Sequence, residues 1–237
     1  MKRFWDQATS GPMAVGWQVL LDGKPLRIPG GAALCLPTPA LAVAITGEWQ
    51  QAGSGAKGGD FDLQAMKLTR MAGTAQERVA PAREAIALEL ARYGETDLLC
   101  YRTELPAGLA VRQHAEWQPW LDWAAGRFGA RLLTTSTLMH QRQDPAALAA
   151  LAAAVARHDI YGLAGLGVLV PALGSLVLGL AVSAEALAAP AAHALSVLDE
   201  IYQEELWGRD AQAHAGRLLV ADDVAVAARF LALARAV

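Results

Sequence analysis

W-Q-V-L-L-D-G-K-P-L-R-I-P-G-G-A-A-L-C-L, residues 17–36, is the stretch whose reading decides the fold class. Three short apolar runs are separated by Asp22-Gly23 and Gly30-Gly31. Two-residue steps of this kind close β-hairpins because they accept a left-handed backbone. Immediately downstream, Thr38 followed by Pro39 is an N-cap and first-turn pair, and it predicts a helix over residues 39–51 with Leu41, Ile45 and Trp49 along one row. After about residue 80, Ala-rich runs with helical period take over. The shift predicts an α+β protein: a small β-rich N-terminal domain over residues 1–80, followed by a larger, mostly helical C-terminal domain over residues 81–237.

Composition bounds the rest. The 237 residues suffice for a sizeable core, and 54% hydrophobic content with only 6% aromatics favours packed helices over a sandwich. The net charge is −3 and the 20 Lys and Arg are scattered, so no basic stripe exists to neutralise phosphates and a nucleic-acid partner is excluded. Cys35 and Cys100 each sit in an apolar run and form no metal or redox spacing, as expected of reduced core residues in a cytosolic protein. The opening M-K-R-F-W-D resembles neither a signal peptide nor a presequence, so export is not expected. Residues 162–184 carry no charge over 23 positions, long enough to cross a bilayer. Pro171 and five glycines interrupt them, however, and Glu185 follows where a Lys or Arg would anchor a span. Two short buried helices parted at Pro171 are expected, with a membrane-anchored factor as the alternative.

Further along, G-S-G-A-K-G-G-D (53–60) holds a Lys among glycines but lacks the Gly-Lys-Ser/Thr order and a leading strand, so it is a plain loop and not a phosphate cradle. Residues 61–74 fit either a short strand or a helix start; a helix is expected over 81–93, and strands over 97–103 and 131–137. A helix over 109–128 carries Trp117, Trp120 and Trp123, with Pro119 kinking it or starting a second. Asp144-Pro145 opens another helix reaching about His158, and Asp222 or Asp223 is a candidate cap for the last one. The histidines form no metal-ligand spacing, and Ser175 sits in no nucleophile elbow.

One stretch remains, L-S-V-L-D-E-I-Y-Q-E-E-L-W-G-R-D at 195–210. Leu195, Leu198, Ile201 or Tyr202, and Leu206 recur at three and four, the stripe of a helix facing a core. Gly208 is placed to end it near Trp207, and Asp210 to cap the next helix. The outward face carries Ser196, Asp199, Glu200, Gln203 or Glu204, and Trp207. Two readings stay open: a partner-binding ridge, since an indole beside acids makes a surface both wet and adhesive, or a half-buried Trp covering the helix end. A rival from another class is a small α+β enzyme using the Asp199 and Glu200 carboxylates. Adjacent helix positions diverge by about 100°, which argues against it.

The order of motifs then decides more than any one of them. L-D-G-K-P-L-R-I-P, L-P-T-P-A-L-A, G-E-W, L-T-R, Y-G-E-T-D-L-L-C-Y-R, Q-x-x-x-W-x-P-W-L-x-W, L-G-S-L-V-L-G-L-A and L-D-E-I-Y-Q-E-E-L-W-G-R-D resemble, in that order, the "ATP twelve" family of assembly chaperones of the ATP synthase catalytic head, over residues 4–230. Lys67 stands where the family pattern has Pro, and Gln76-Glu77-Arg78 where it has I-D-R. The resemblance implies a β-rich N-terminal and a helical C-terminal domain, no catalytic activity, no cofactor and no metal. It implies as partner the free α subunit of the catalytic head, whose apolar interface is shielded until the β subunit takes it. Glu200 is the expected principal contact, with Asp199, Gln203, Trp207 and Asp210 in support. The chain is expected to be monomeric when free and to act in the bacterial cytoplasm, the mitochondrial matrix being the location in eukaryotic relatives.

Overall fold

A computed structural model describes residues 1–137 and 139–235. A small antiparallel sheet at the N-terminus precedes a mostly helical remainder, so the fold is α+β with a helical C-terminal part. The chain divides into two compact units. One holds residues 1–83, 160–165 and 229–237, and the other 84–159 and 166–228.

In the first unit, strand β1 (Ala8–Pro12) pairs with β2 (Trp17–Leu21), which pairs with β3 (Lys24–Pro25) through the Asp22-Gly23 turn. Both turn residues have positive φ, as the hairpin reading requires. Single bridges, Arg27 to Ala33 and Trp17 to Leu36, continue the pairing around Gly30-Gly31. Strand β1, A-T-S-G-P, carries no apolar alternation and was not legible as a strand. Helix α1 (Pro39–Gln51) starts where the Thr38 hydroxyl accepts the Leu41 N–H at 3.1 Å, and buries Leu41, Ala42, Ile45 and Trp49. Around Trp49 gather Trp5 and Phe61, beside the buried guanidinium of Arg3, which donates to the carbonyls of Trp5, Asp6, Gln50 and Ala52.

Residues 61–74 resolve as helix α2 (Lys67–Thr74) after a short turn. Its free amides are capped from outside: the Glu48 carboxylate on α1 accepts from Leu68 and Thr69 N–H at 2.8 and 2.9 Å. A cap supplied from 20 residues away leaves no local signature. A π turn and a 3₁₀ turn lead into α3 (Arg83–Ala91). In the glycine-rich loop Lys57 is paired with Asp6 at 2.8 Å.

The second unit differs from the sequence reading first at two runs expected to be strands. Residues 97–103 and 131–137 are not strands; only Tyr101 and Thr135 meet, in a single parallel bridge. Their remaining backbone groups are satisfied by tight turns and, in part, by buried side chains. Gln143 accepts from Leu133 N–H and donates to Leu133 O, while the Asp97 carboxylate accepts from Leu99 N–H within a 3₁₀ turn (Leu98–Cys100). Helix α4 (Ala107–Phe128) runs unbroken through Pro119, with Trp117 buried and Trp120 and Trp123 half-buried and edge-on to each other. Helix α5 (Pro145–Ala156) is capped by Asp144.

The long apolar segment forms two helices, α6 (Ile160–Leu173) and α7 (Leu176–Ser183), but they part at Gly174 and not at Pro171. Gly174 adopts φ +60°, and the Ser175 hydroxyl caps α7 at Leu178 N–H while donating to Asp97 at 2.7 Å. Burial pushes the Asp97 carboxyl above its ordinary range, against the N–H and hydroxyl donors that stabilise its charge. Among the described residues no helix is long and apolar enough to cross a membrane. Then come α8 (Ala189–Ser196), α9 (Leu198–Trp207) and α10 (Ala211–Arg235). Asp222 and Asp223 lie well inside α10, so neither caps its start. Both cysteines are free thiols; Cys100 is buried, Cys35 only half so.

Candidate functional site

The stretch expected as one helix from Leu195 is two. Val197, at φ −114° and ψ 26°, breaks the path, so Leu195 belongs to α8 and Leu198 opens α9. Leu198 is the buried residue of α9; Ile201 and Tyr202 are half-buried, and Leu206, placed in the core-facing stripe by its spacing, is 56% exposed. The apolar stripe therefore fades along the helix. Asp199 and Glu200 in the first turn suit the positive end of the helix dipole. Gly208 closes the helix at φ 90°, ψ 165°, a region open almost only to glycine.

The acids divide by what they touch. Asp199 is half-buried and its Oδ1 accepts from the Gln113 amide on α4 at 2.8 Å. Glu204 pairs with Arg217 of α10 and, more loosely at 4.0 Å, with Arg209. Both oxygens of Glu205 accept from Arg112 of α4, at 2.9 and 3.0 Å, and Arg112 also reaches Glu116. The Glu205 and Glu116 carboxylates hold the Arg112 guanidinium's pKa above its usual value. Asp210 caps α10 through Ala213 N–H at 2.7 Å. Glu200 is exposed, and among the described residues its carboxylate makes no hydrogen bond or ion pair. Gln203 is exposed beside it, and Trp207 is 78% exposed, so the indole does not cover the helix end.

Asp199, Glu200, Gln203 and Trp207 thus lie on one short helix, while Asp210 stands beyond the Gly208 turn. The sequence reading missed the residues behind them. Gln113 and Trp117, the first two fixed positions of Q-x-x-x-W-x-P-W, donate from α4 to Asp199 on α9 and to the Leu195 carbonyl on α8, and the four-residue spacing of a polar and an aromatic residue was the available signal. Among the described residues no three His, Cys, Asp or Glu converge as metal ligands. An exposed acid, an amide and an indole thus share one short helix.

Comparison with known proteins gives that surface a setting. The ATP12 chaperone protein family matches residues 2–125. The crystal structure of Atp12 from Paracoccus denitrificans, and that of an aspartate-to-lysine variant of it, are each 44% identical with TM-score 0.93, covering 99% of this chain and 98% of theirs. The structure of an Agrobacterium tumefaciens protein proposed to be a chaperone is 34% identical with TM-score 0.89, over 97% of this chain and 84% of that one. The chain belongs to the ATP12 chaperone family. It is an assembly chaperone for ATP synthase and not an enzyme.

Proposed function

We propose that this protein binds the free α subunit of the ATP synthase catalytic head, shields its subunit interface from aggregation, and hands it over for assembly with the β subunit. The contact runs along α9, with Glu200 as principal residue, Gln203 and Trp207 beside it, and Asp199 and Asp210 shaping its two ends. The domains expected over residues 1–80 and 81–237 place that contact in the helical one, and the bacterial cytoplasm is its proposed location. An unpaired subunit of an obligate ring exposes a large apolar interface that aggregates unless covered. A chaperone must cover it and then release it. Charge near an aromatic anchor serves both needs, since the acid speeds encounter and the indole supplies buried area.

The observation that carries this reading is Glu200, exposed and, among the described residues, without a hydrogen bond or ion pair of its own, while neighbouring Asp199, Glu204 and Glu205 are engaged. The test pairs two measurements on Glu200→Ala. Its stability should fall by about 0.5 kcal/mol or less, as for a solvated surface charge. Its binding to purified α subunit should weaken by about 2–5 kcal/mol, the range for truncating one member of a buried charge pair. A variant that melts normally yet leaves α to aggregate supports the proposal; one that protects α as well as wild type moves the contact elsewhere.

A further inference from the structure

We propose that Gln113 and Trp117 are the positioning residues of the binding ridge, and that Asp199 works through them and not by touching the partner. This rests on the reading of α9 as the contact surface. Gln113 and Trp117 stand one turn apart on α4 and so share a face. Trp117 Nε1 donates to the Leu195 carbonyl at 2.9 Å, and Gln113 Nε2 to Asp199 Oδ1 at 2.8 Å. The two tethers land two residues before and two after Val197, where the chain turns from α8 into α9.

Each tether is itself immobilised. Gln113 is 1% exposed, and its Oε1 accepts from Thr103 N–H at 2.8 Å, so both ends of the amide are committed. Arg102 donates to the Gln113 carbonyl and to Leu99 O, each at 2.6 Å, and its guanidinium lies 5.3 Å from the centre of the Trp117 ring. Burial is thin on α9 itself, because Leu198 is the residue it fully buries. Tyr202 adds a third approach: its hydroxyl would lie 2.7 Å from a Cβ placed on Gly108 of α4. With so little apolar area, the direction in which Glu200 and Trp207 project is set by polar contacts, from Gln113 and Arg112 of α4 and Arg217 of α10, and of these three Gln113 is the fully buried one and the one that grips the first turn. A carboxylate whose near oxygen is spent on an internal amide, and which is half-buried, is an anchor.

The chemistry separates anchoring from charge. Asp199→Asn keeps an oxygen for Gln113 while losing the negative charge; Asp199→Ala loses both. Gln113→Glu sets two carboxylates face to face, and combining Gln113→Glu with Asp199→Asn restores a donor–acceptor pair of reversed polarity, with Thr103 N–H still accepted. The readouts are amide hydrogen exchange over α9 and capture of purified α subunit. Gln113→Glu and Asp199→Ala should each speed α9 exchange and weaken capture by about tenfold or more, the loss of one charge-assisted hydrogen bond. Asp199→Asn should stay within about twofold of wild type, and the double variant should recover most of both losses. If Asp199→Asn loses capture while α9 exchange is unchanged, Asp199 meets the partner by its charge and the proposal is overturned. The same holds if α9 exchange is insensitive to Asp199→Ala. Glu200→Lys is the control. If it abolishes capture while a loosened α9 still captures normally, positioning fails and the ridge stands; if it too captures normally, the ridge reading falls and takes this inference with it.

Discussion

Every residue of α7 is buried, whereas on α9, two residues longer, Leu198 alone is. Both are short helices of the same unit, yet opposite forces place them. Helix α7, L-V-L-G-L-A-V-S, is apolar all round and finds its place by packing; Gly179 brings it against Val170 of α6, where a Cβ would come within 2.7 Å of a Val170 methyl. Helix α9 keeps its acids and is held by the Gln113 amide and by ion pairs from Arg112 and Arg217. The Arg112–Glu205 pair is partly exposed and worth about 1 kcal/mol or less, whereas Arg217–Glu204 is largely buried, so α9 is fastened by a few polar contacts where α7 is fastened by packing.

The largest effect is expected at the buried end. Asp97→Ala leaves the Ser175 hydroxyl and the N–H groups of Val177 and Leu99 without their acceptor. The expected cost is about 3–5 kcal/mol, each unpaired buried donor being worth about 1–3. Urea unfolding measures it, and a loss under about 1 kcal/mol would mean that water replaces the carboxylate.

The same substitution made on each helix separates packing from tethering. Leu178 is fully buried and Leu206 is 56% exposed. Leu178→Ala should cost about 2–5 kcal/mol and Leu206→Ala about 0.5 or less. Equal losses in thermal unfolding would show that α9 is packed as tightly as α7.

Thiol modification gives a milder probe. Burial pushes the Cys100 thiol up to about 12, with the Asp97 charge adding to it. At about pH 8 a thiol reagent should modify half-buried Cys35 readily, while Cys100 waits for the buried end to open. Asp97→Ala should make Cys100 reactive. Two labels must appear after denaturation without reductant.

The smallest effect is expected at His193, on α8. Burial pulls its pKa below the usual histidine value, with the Arg217 charge in the same direction and a backbone hydrogen bond and the Glu200 charge against it. The unfolded chain then takes up the proton first, so the contribution of His193 is present above its unfolded pKa of about 6.5 and is lost as pH falls through the lower folded value. Between about pH 7.5 and 5.5 wild type should lose more stability than His193→Gln, with the difference disappearing above about pH 7.

Local chemistry repeated at a fixed period was legible in the chain alone. The Asp22-Gly23 turn, the Thr38-Pro39 and Asp144-Pro145 helix starts, and the helix end at Gly208 depend on neighbours a few residues away, and each falls where it was read. The α+β class and the two buried helices of the apolar segment follow from the same kind of signal, and the motif order was enough to name the family. Tertiary structure decided whatever is satisfied from afar. Asp97 and Gln143 turn two strand-like runs into loops, Glu48 caps α2 from another helix, and Gly174 with Ser175, not Pro171, parts the apolar pair. On α9, spacing placed Leu206 in the core, yet the side chain is 56% exposed, beyond paired Glu204 and Glu205. Which of several equivalent acids is left unengaged depends on where Arg112, Gln113 and Arg217 come to lie, 93, 86 and 13 positions along the chain from Glu205, Asp199 and Glu204. A hydrogen bond is indifferent to sequence distance, which is why Glu200 could be nominated from its pattern but distinguished from Asp199, Glu204 and Glu205 only in three dimensions.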